Sequence, residues 1–227
     1  MNKNLQTLKY ILFDFLTAAA AWALFFRFRK LYLEPSKYGY EVPLNFDDTF
    51  IYGLLFIPTC WVLLYSATGF YKTPYRKSRL KELSQTLTAS ILGCTLLFFV
   101  FILDDEINTY KDYYLSYLFI LFFHFAITYL FRFLITSRTV YRIQNREIGF
   151  NTIMIGSNEK AVALFLEMNG ENKSFGNKFV GFARVNKKDE YLLKDHLPFL
   201  GNYVELKKII QEHEIKEAII AIESSEH

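Results

Sequence analysis

The chain has 227 residues, of which 52% are hydrophobic and 19% aromatic, with 24 Phe and 16 Tyr. That aromatic load is far above that of an ordinary soluble domain. The apolar residues also collect in long runs before residue 137, which argues against one soluble domain and for two parts. A net charge of +3 gives no reason to expect nucleic acid as a partner, and Cys60 and Cys94, both inside apolar runs, cannot build a disulfide framework or a zinc pattern.

A bilayer core needs about 20 mostly apolar residues in helical form, and four segments qualify. The first is residues 10–26. It is followed by Arg27, Arg29 and Lys30 rather than by a small-residue cleavage site, so it reads as a helix that stays in the membrane and not as a signal peptide. The second, residues 50–68, contains Pro58, which inside a membrane kinks a helix rather than ending it. The third, residues 83–103, has a polar start and then the run LLFFVFIL. The fourth is residues 113–136.

Lys and Arg in short loops set orientation. The loop after the second span carries Lys72, Arg76, Lys77, Arg79 and Lys81, the strongest cytoplasmic signal in the chain. The loop DDEINTYKD after the third span is acidic and suits the outside, and Arg138, Arg142 and Arg146 after the fourth again suit the cytoplasm. Both termini are then expected inside. The segment RFRK, residues 27–30, opposes this orientation by lying outside, and Lys3 and Lys9 only weakly balance it.

Asp14 and His124 fall within spans, where ionisable groups are functional candidates by default. Plainer roles are open to both. Asp14 reaches the interface or caps polar groups of a neighbouring helix, and His124 is a neutral, hydrogen-bonded packing residue. Arg132, near the cytoplasmic end, can snorkel to the headgroups. No run of intramembrane charges marks a transport path. The basic residues Arg76, Lys77, Arg79 and Lys81 either only set topology or also contact anionic headgroups or a lipid-linked phosphate.

From Gly149 the period changes. FNTIMIG reads as a strand ending at Gly156, and the segment after it places Ala161, Leu164, Phe165 and Met168 at helical spacing. KFVGFARV is a second strand. After the polar stretch NKKDEYLLKDHLP, Asn202 is an N-cap for a helix burying Leu206, Ile209 and Ile210. KEAIIAIE is a third strand, with Ile219, Ile220 and Ile222 buried and Glu223, Ser224 and Ser225 turning away. Strand, helix, strand, helix, strand is half of a doubly wound sheet. The expected plan is a four-helix transmembrane domain over residues 1–146 and a partial Rossmann-like βαβαβ domain over residues 147–227, cut after three strands. In the strand order 3-2-1-4-5-6 the central first strand then lacks its fourth-strand partner, and in the order 2-1-3-4-5 the third strand lacks its partner instead; either the domain is cut in half or a partner chain covers the edge. An open apolar edge favours association between copies.

The first strand–helix turn, Gly156, Ser157 and Asn158, is the expected place for a phosphate or nucleotide, because helix N-terminal amides point there. The dinucleotide fingerprint asks for Gly at 156, 158 and 161, where this chain has Gly156, Asn158 and Ala161. Asn at the second place crowds a pyrophosphate, so a plain tight turn or a smaller anion suits the loop better. The sequence shows no catalytic constellation, neither a paired-carboxylate site, a Ser/His/Asp set nor a metal cluster, and Glu212, His213 and Glu214 read as a solvated helix face.

Four spans with both ends inside, then GFYKTPYRKSRLKELSQT, NTIMIGSNEKA and LPFLGNYVELKKIIQEHEIKEAIIAI, resemble the N-terminal part of the large bacterial polyprenyl-phosphate phosphoglycosyl transferases. Asp14 sits where such proteins tend to carry an acidic residue. The resemblance implies an inner-membrane protein of exopolysaccharide synthesis, moving a sugar phosphate from a nucleotide sugar to undecaprenyl phosphate. It implies magnesium in a C-terminal catalytic domain whose motif no residue here matches. This chain alone is then expected to be inactive and to hold no cofactor. Two alternatives stand beside it: the N-terminal part of a membrane-bound nucleotide-sugar epimerase or dehydratase, and a non-catalytic membrane scaffold or ligand sensor.

Overall fold

The computed structural model describes residues 3–41, 43–102, 110–185 and 192–222. The end of the third span at Leu103, most of the acidic loop after it, the polar residues 186–191 and the turn at Glu223, Ser224 and Ser225 lie outside the described residues. The chain divides into two compact units, Met1–Thr139 and Val140–His227.

The first unit is helical. Helix α1 spans Lys3–Phe28, runs through a π-turn at Arg29–Leu33 and continues into the short α2, Glu34–Tyr38. Helices α3 (Asp48–Ala67), α4 (Arg79–Leu97) and α5 (Tyr110–Gln144) follow, with a π-turn at Phe98–Ile102 after α4. Four helical stretches are long and apolar enough to cross a membrane: Lys3–Ser36, Asp48–Ala67, Arg79–Val100 and Tyr110–Gln144. The first and last are longer than the hydropathy runs, because polar turns extend them. Helix α3 runs through Pro58 without a break. Two side chains start helices: Asp47 Oδ1 accepts from the Phe50 N–H at 2.9 Å, and Ser78 Oγ from the Lys81 N–H at 3.2 Å. Arg29 and Lys30, the positive residues that fit the orientation poorly, both pair with Glu34, at 3.5 and 3.0 Å.

Glycines set the closest helix approaches. A Cβ on Gly53 would enter the Trp22 ring, and one on Gly93 would enter the Trp61 ring. Small residues let backbones approach where lipid supplies no hydrophobic drive between helices. Around Trp61 the packing is aromatic. Its ring stacks on His124 at 3.6 Å, and Tyr65 and Phe70 complete the cluster.

The second unit begins in the last turn of α5, where the Gln144 carbonyl accepts from the Ser174 N–H at 3.1 Å. It contains β1 (Phe150–Ile155), α6 (Glu159–Gly170), β2 (Asn177–Arg184), β3 (Phe199–Asn202), α7 (Leu206–Glu212) and β4 (Glu217–Ile220). The sheet is parallel, in the order β3-β2-β1-β4. Helix α6 covers one face, with Ala161 and Phe165 against Met154 and Phe182. Helix α7 covers the other, with Ile209 against Ile153 and Ala183.

Four strands, not three, are present among the described residues. The additional one is β3, four residues long, whose last residue, Asn202, caps the 3-10 turn Tyr203–Glu205 leading into α7. It makes KEAIIAIE the fourth strand, and that strand pairs with β1 from Thr152↔Glu217 to Ile155↔Ile220. The central strand therefore has partners on both sides, and the expected gap beside it does not exist. β4 is also less buried than its sequence suggests: Ile220 is 65% exposed, and Ala221 turns inward instead. On α7, Ile210 is partly exposed, whereas Ile209 is buried.

Candidate functional site

The carboxyl ends of the strands meet in one row, Gly201–Ala183–Ile155–Ile220. Beyond Ile155 the chain turns at Gly156, whose φ is +120°. Its N–H donates to the Ala183 carbonyl at 2.9 Å, while the Ala221 N–H donates to the Ile155 carbonyl at 2.8 Å. A Cβ at Gly156 would run into the Ala221 carbonyl. Glycine is required here by backbone angle and by the passing chain after β4, independently of any ligand.

Ser157 is buried. Asn158 is the N-cap of α6, its Oδ1 accepting from the Ala161 N–H at 3.0 Å. The crowding residue of the sequence fingerprint thus has a structural task. Its carboxamide occupies one helix-terminal amide that a phosphate would otherwise use, and Glu159 adds an acid in the first turn. A pyrophosphate laid directly on this terminus is disfavoured. Sequence reading missed Arg184, the last residue of β2, adjacent to Ala183 in that row and only 8% exposed. A guanidinium has the chemistry to recognise an anion, and its position at the end of an apolar strand was the available signal.

In the helical unit the structure assembles a polar core. Asp14 on α1 receives two hydrogen bonds from Arg132 on α5, from Nε at 2.7 Å and Nη2 at 2.8 Å. Arg132 Nη1 donates to Thr86 Oγ1 on α4 at 2.9 Å, and the Tyr71 hydroxyl donates to Asp14 Oδ2 at 2.8 Å. Arg132 does not snorkel: it is 1% exposed, with its guanidinium 3.6 Å from the Phe70 ring centre and 3.9 Å from that of Tyr65. Asp14 does not reach an interface; it is a buried counter-ion. His124 does pack as a hydrogen-bonded ring, its Nε2 3.0 Å from the Tyr65 hydroxyl.

Glu82, just ahead of the third hydropathy run, is fully buried. Thr136 donates its hydroxyl proton to Glu82 Oε2 at 2.9 Å, so Tyr10, 2.8 Å from Thr136 Oγ1, is the donor in that contact. Lys77 leaves the basic surface of the loop. Its Nζ lies 3.0 Å from the Phe70 ring centre, 4.6 Å from that of Tyr10 and 3.7 Å from Glu82 Oε1. Burial lowers the Lys77 ammonium to about 7, against the partial support of Glu82. Burial beside Asp14 raises the Tyr71 phenol, keeping it a donor. Arg76, Arg79 and Lys81 remain exposed, Arg79 with its guanidinium 5.7 Å from the Phe133 ring centre. Among the described residues no three His, Cys, Asp or Glu side chains converge.

Comparison with protein families matches residues 66–227 to a family described as a CoA-binding domain. No curated protein matches the chain.

Proposed function

The chain belongs to the CoA-binding-domain family, whose domain is found in polysaccharide biosynthesis proteins such as nucleotide-sugar epimerases and dehydratases, and on that premise we propose that it is the membrane-anchoring and ligand-binding part of such a protein. The helical unit holds it in a bacterial inner membrane with both ends in the cytoplasm, the orientation its basic loops favour. The Rossmann-like unit takes a phosphate-bearing nucleotide ligand, of the coenzyme A or nucleotide-sugar class, at the carboxyl end of the sheet. Ligands of doubly wound sheets bind there as a rule.

The observation that carries this reading is the buried Arg184 beside the Gly156 turn. Arg184 and the buried Ser157 recognise the anion, and Asn158 shapes the turn rather than touching pyrophosphate. The family match supports a nucleotide-sugar epimerase or dehydratase as the chemistry served. Sugar-phosphate transfer to undecaprenyl phosphate is the second reading, favoured by the exposed Arg76, Arg79 and Lys81, which suit a lipid-linked phosphate. In either case the reacting residues and any magnesium belong outside this chain. Copies of the chain associate through the outer edge of β4, which pairs with nothing among the described residues.

Calorimetry on the full chain in nanodiscs tests the ligand. Coenzyme A, a uridine-diphosphate sugar and free uridine diphosphate are the probes. Binding of one of them, lost in Arg184→Met with the helical signal unchanged, is expected. No heat with any probe would overturn ligand binding and leave a scaffold. Sugar-phosphate transfer to lipid by this chain alone would overturn the placement of the chemistry.

A further inference from the structure

Residues 68–78, which join α3 to α4, are folded into the helical unit at three points. Phe70 is 2% exposed, Tyr71 is bonded to Asp14, and Lys77 is 6% exposed. Lys72, Thr73 and Arg76 between them are exposed. Phe70 has a cation on either contact, Arg132 at 3.6 Å and Lys77 at 3.0 Å. Two buried cations so close are tolerable only with two buried anions, and Asp14 and Glu82 supply them.

The two pairs differ in quality. Arg132–Asp14 is bidentate at 2.7 and 2.8 Å. Lys77–Glu82 is 3.7 Å apart, and neither Lys77 Nζ nor Glu82 Oε1 has a hydrogen-bond partner among the described residues. The geometry points to a proton-sensitive latch: the loop stays docked while Lys77 and Glu82 share one proton between them, and releases when they hold two. With one proton the pair is neutral, either as ammonium and carboxylate or as amine and acid. A second proton leaves a net buried charge that Arg132 repels and Asp14, already committed to Arg132 and Tyr71, does not neutralise. The remaining titratable neighbour, Tyr10, stays neutral and faces Lys77 with its ring. Release moves Lys77 out beside Arg76, Arg79 and Lys81, adding a cation to the face that meets anionic headgroups. The latch stands independently of the ligand proposed for the α/β unit.

The test is spin-label mobility at Thr73→Cys in a Cys60→Ser background, with the full chain in nanodiscs. It compares about pH 5 with about pH 8, on either side of the Lys77 value. The immobile spectral component is expected to fall at least about twofold at the lower pH. Lys77→Met should keep the label immobile at both, and Glu82→Gln should free it at about pH 5, where Lys77 is left as an unpaired ammonium. Equal mobility at the two values, or an unchanged pH response in Lys77→Met, overturns the latch.

Discussion

Replacing Arg132 by Met removes the cation of the buried pair and leaves Asp14 with one hydrogen bond, from Tyr71. Two charge-assisted bonds join Arg132 to Asp14, each contributing about 1.5–3 kcal/mol. Breaking a buried pair from one side costs about 3–5 kcal/mol, mostly the stranded charge. Since about 1.4 kcal/mol is tenfold, the folded-to-unfolded ratio should drop by about two to three and a half decades. Removing Asp14 as well, in Asp14→Leu with Arg132→Met, should recover most of the loss, because no charge remains unpaired. Equilibrium unfolding in mixed micelles, followed by tryptophan fluorescence, measures both, since Trp22 and Trp61 lie in this unit. A single-mutant loss below about 1 kcal/mol, or a double mutant as unstable as the sum, would refute the pair as a structural lock.

Gly93→Val should destabilise the helical unit by about 1–3 kcal/mol, since its side chain must displace the Trp61 ring. The fluorescence midpoint reads this, and an unchanged midpoint would contradict the close approach. Gly156→Ala should unfold the α/β unit selectively, seen as proteolysis after residue 140 with the helical unit intact; wild-type resistance would contradict the strained turn. Lys77 has a lowered folded-state pKa, so it contributes stability above its unfolded range, near 10.5, that is lost as pH falls through about 7. Lys77→Met should flatten that slope in pH-dependent unfolding, and an unaltered slope would place the titration elsewhere.

The spans were legible because an apolar run of that length has few other uses in a protein. Partners inside the bundle were not. Asp14 and Arg132 are 118 residues apart, and hydropathy records how apolar a helix is, not which neighbour a given face meets. Arg132 near a span end looks the same whether it snorkels outward or turns inward. Glu82 looks like an ordinary acid in the first turn of a helix. In the α/β unit, strands β1, β2 and β4 announce themselves through β-branched and aromatic runs. β3 is four residues with a glycine among them and carries no period. Missing it moved KEAIIAIE from fourth place to third and left β1 without its true neighbour. Gly156 was noticed for a ligand, although the passing Ala221 carbonyl already requires it.

The pairing of β1 with β4 also sets a timetable. The central strand β1 is made early in synthesis, but its second neighbour leaves the ribosome only after α6, β2, β3 and α7. Until then one edge of β1 and the tight turn behind it lack their covering backbone, and the nascent segment presents an unpaired apolar edge. The order of emergence thus makes delayed translation around β4, rather than around the spans, the moment at which this chain is most exposed to chaperone capture or misassembly.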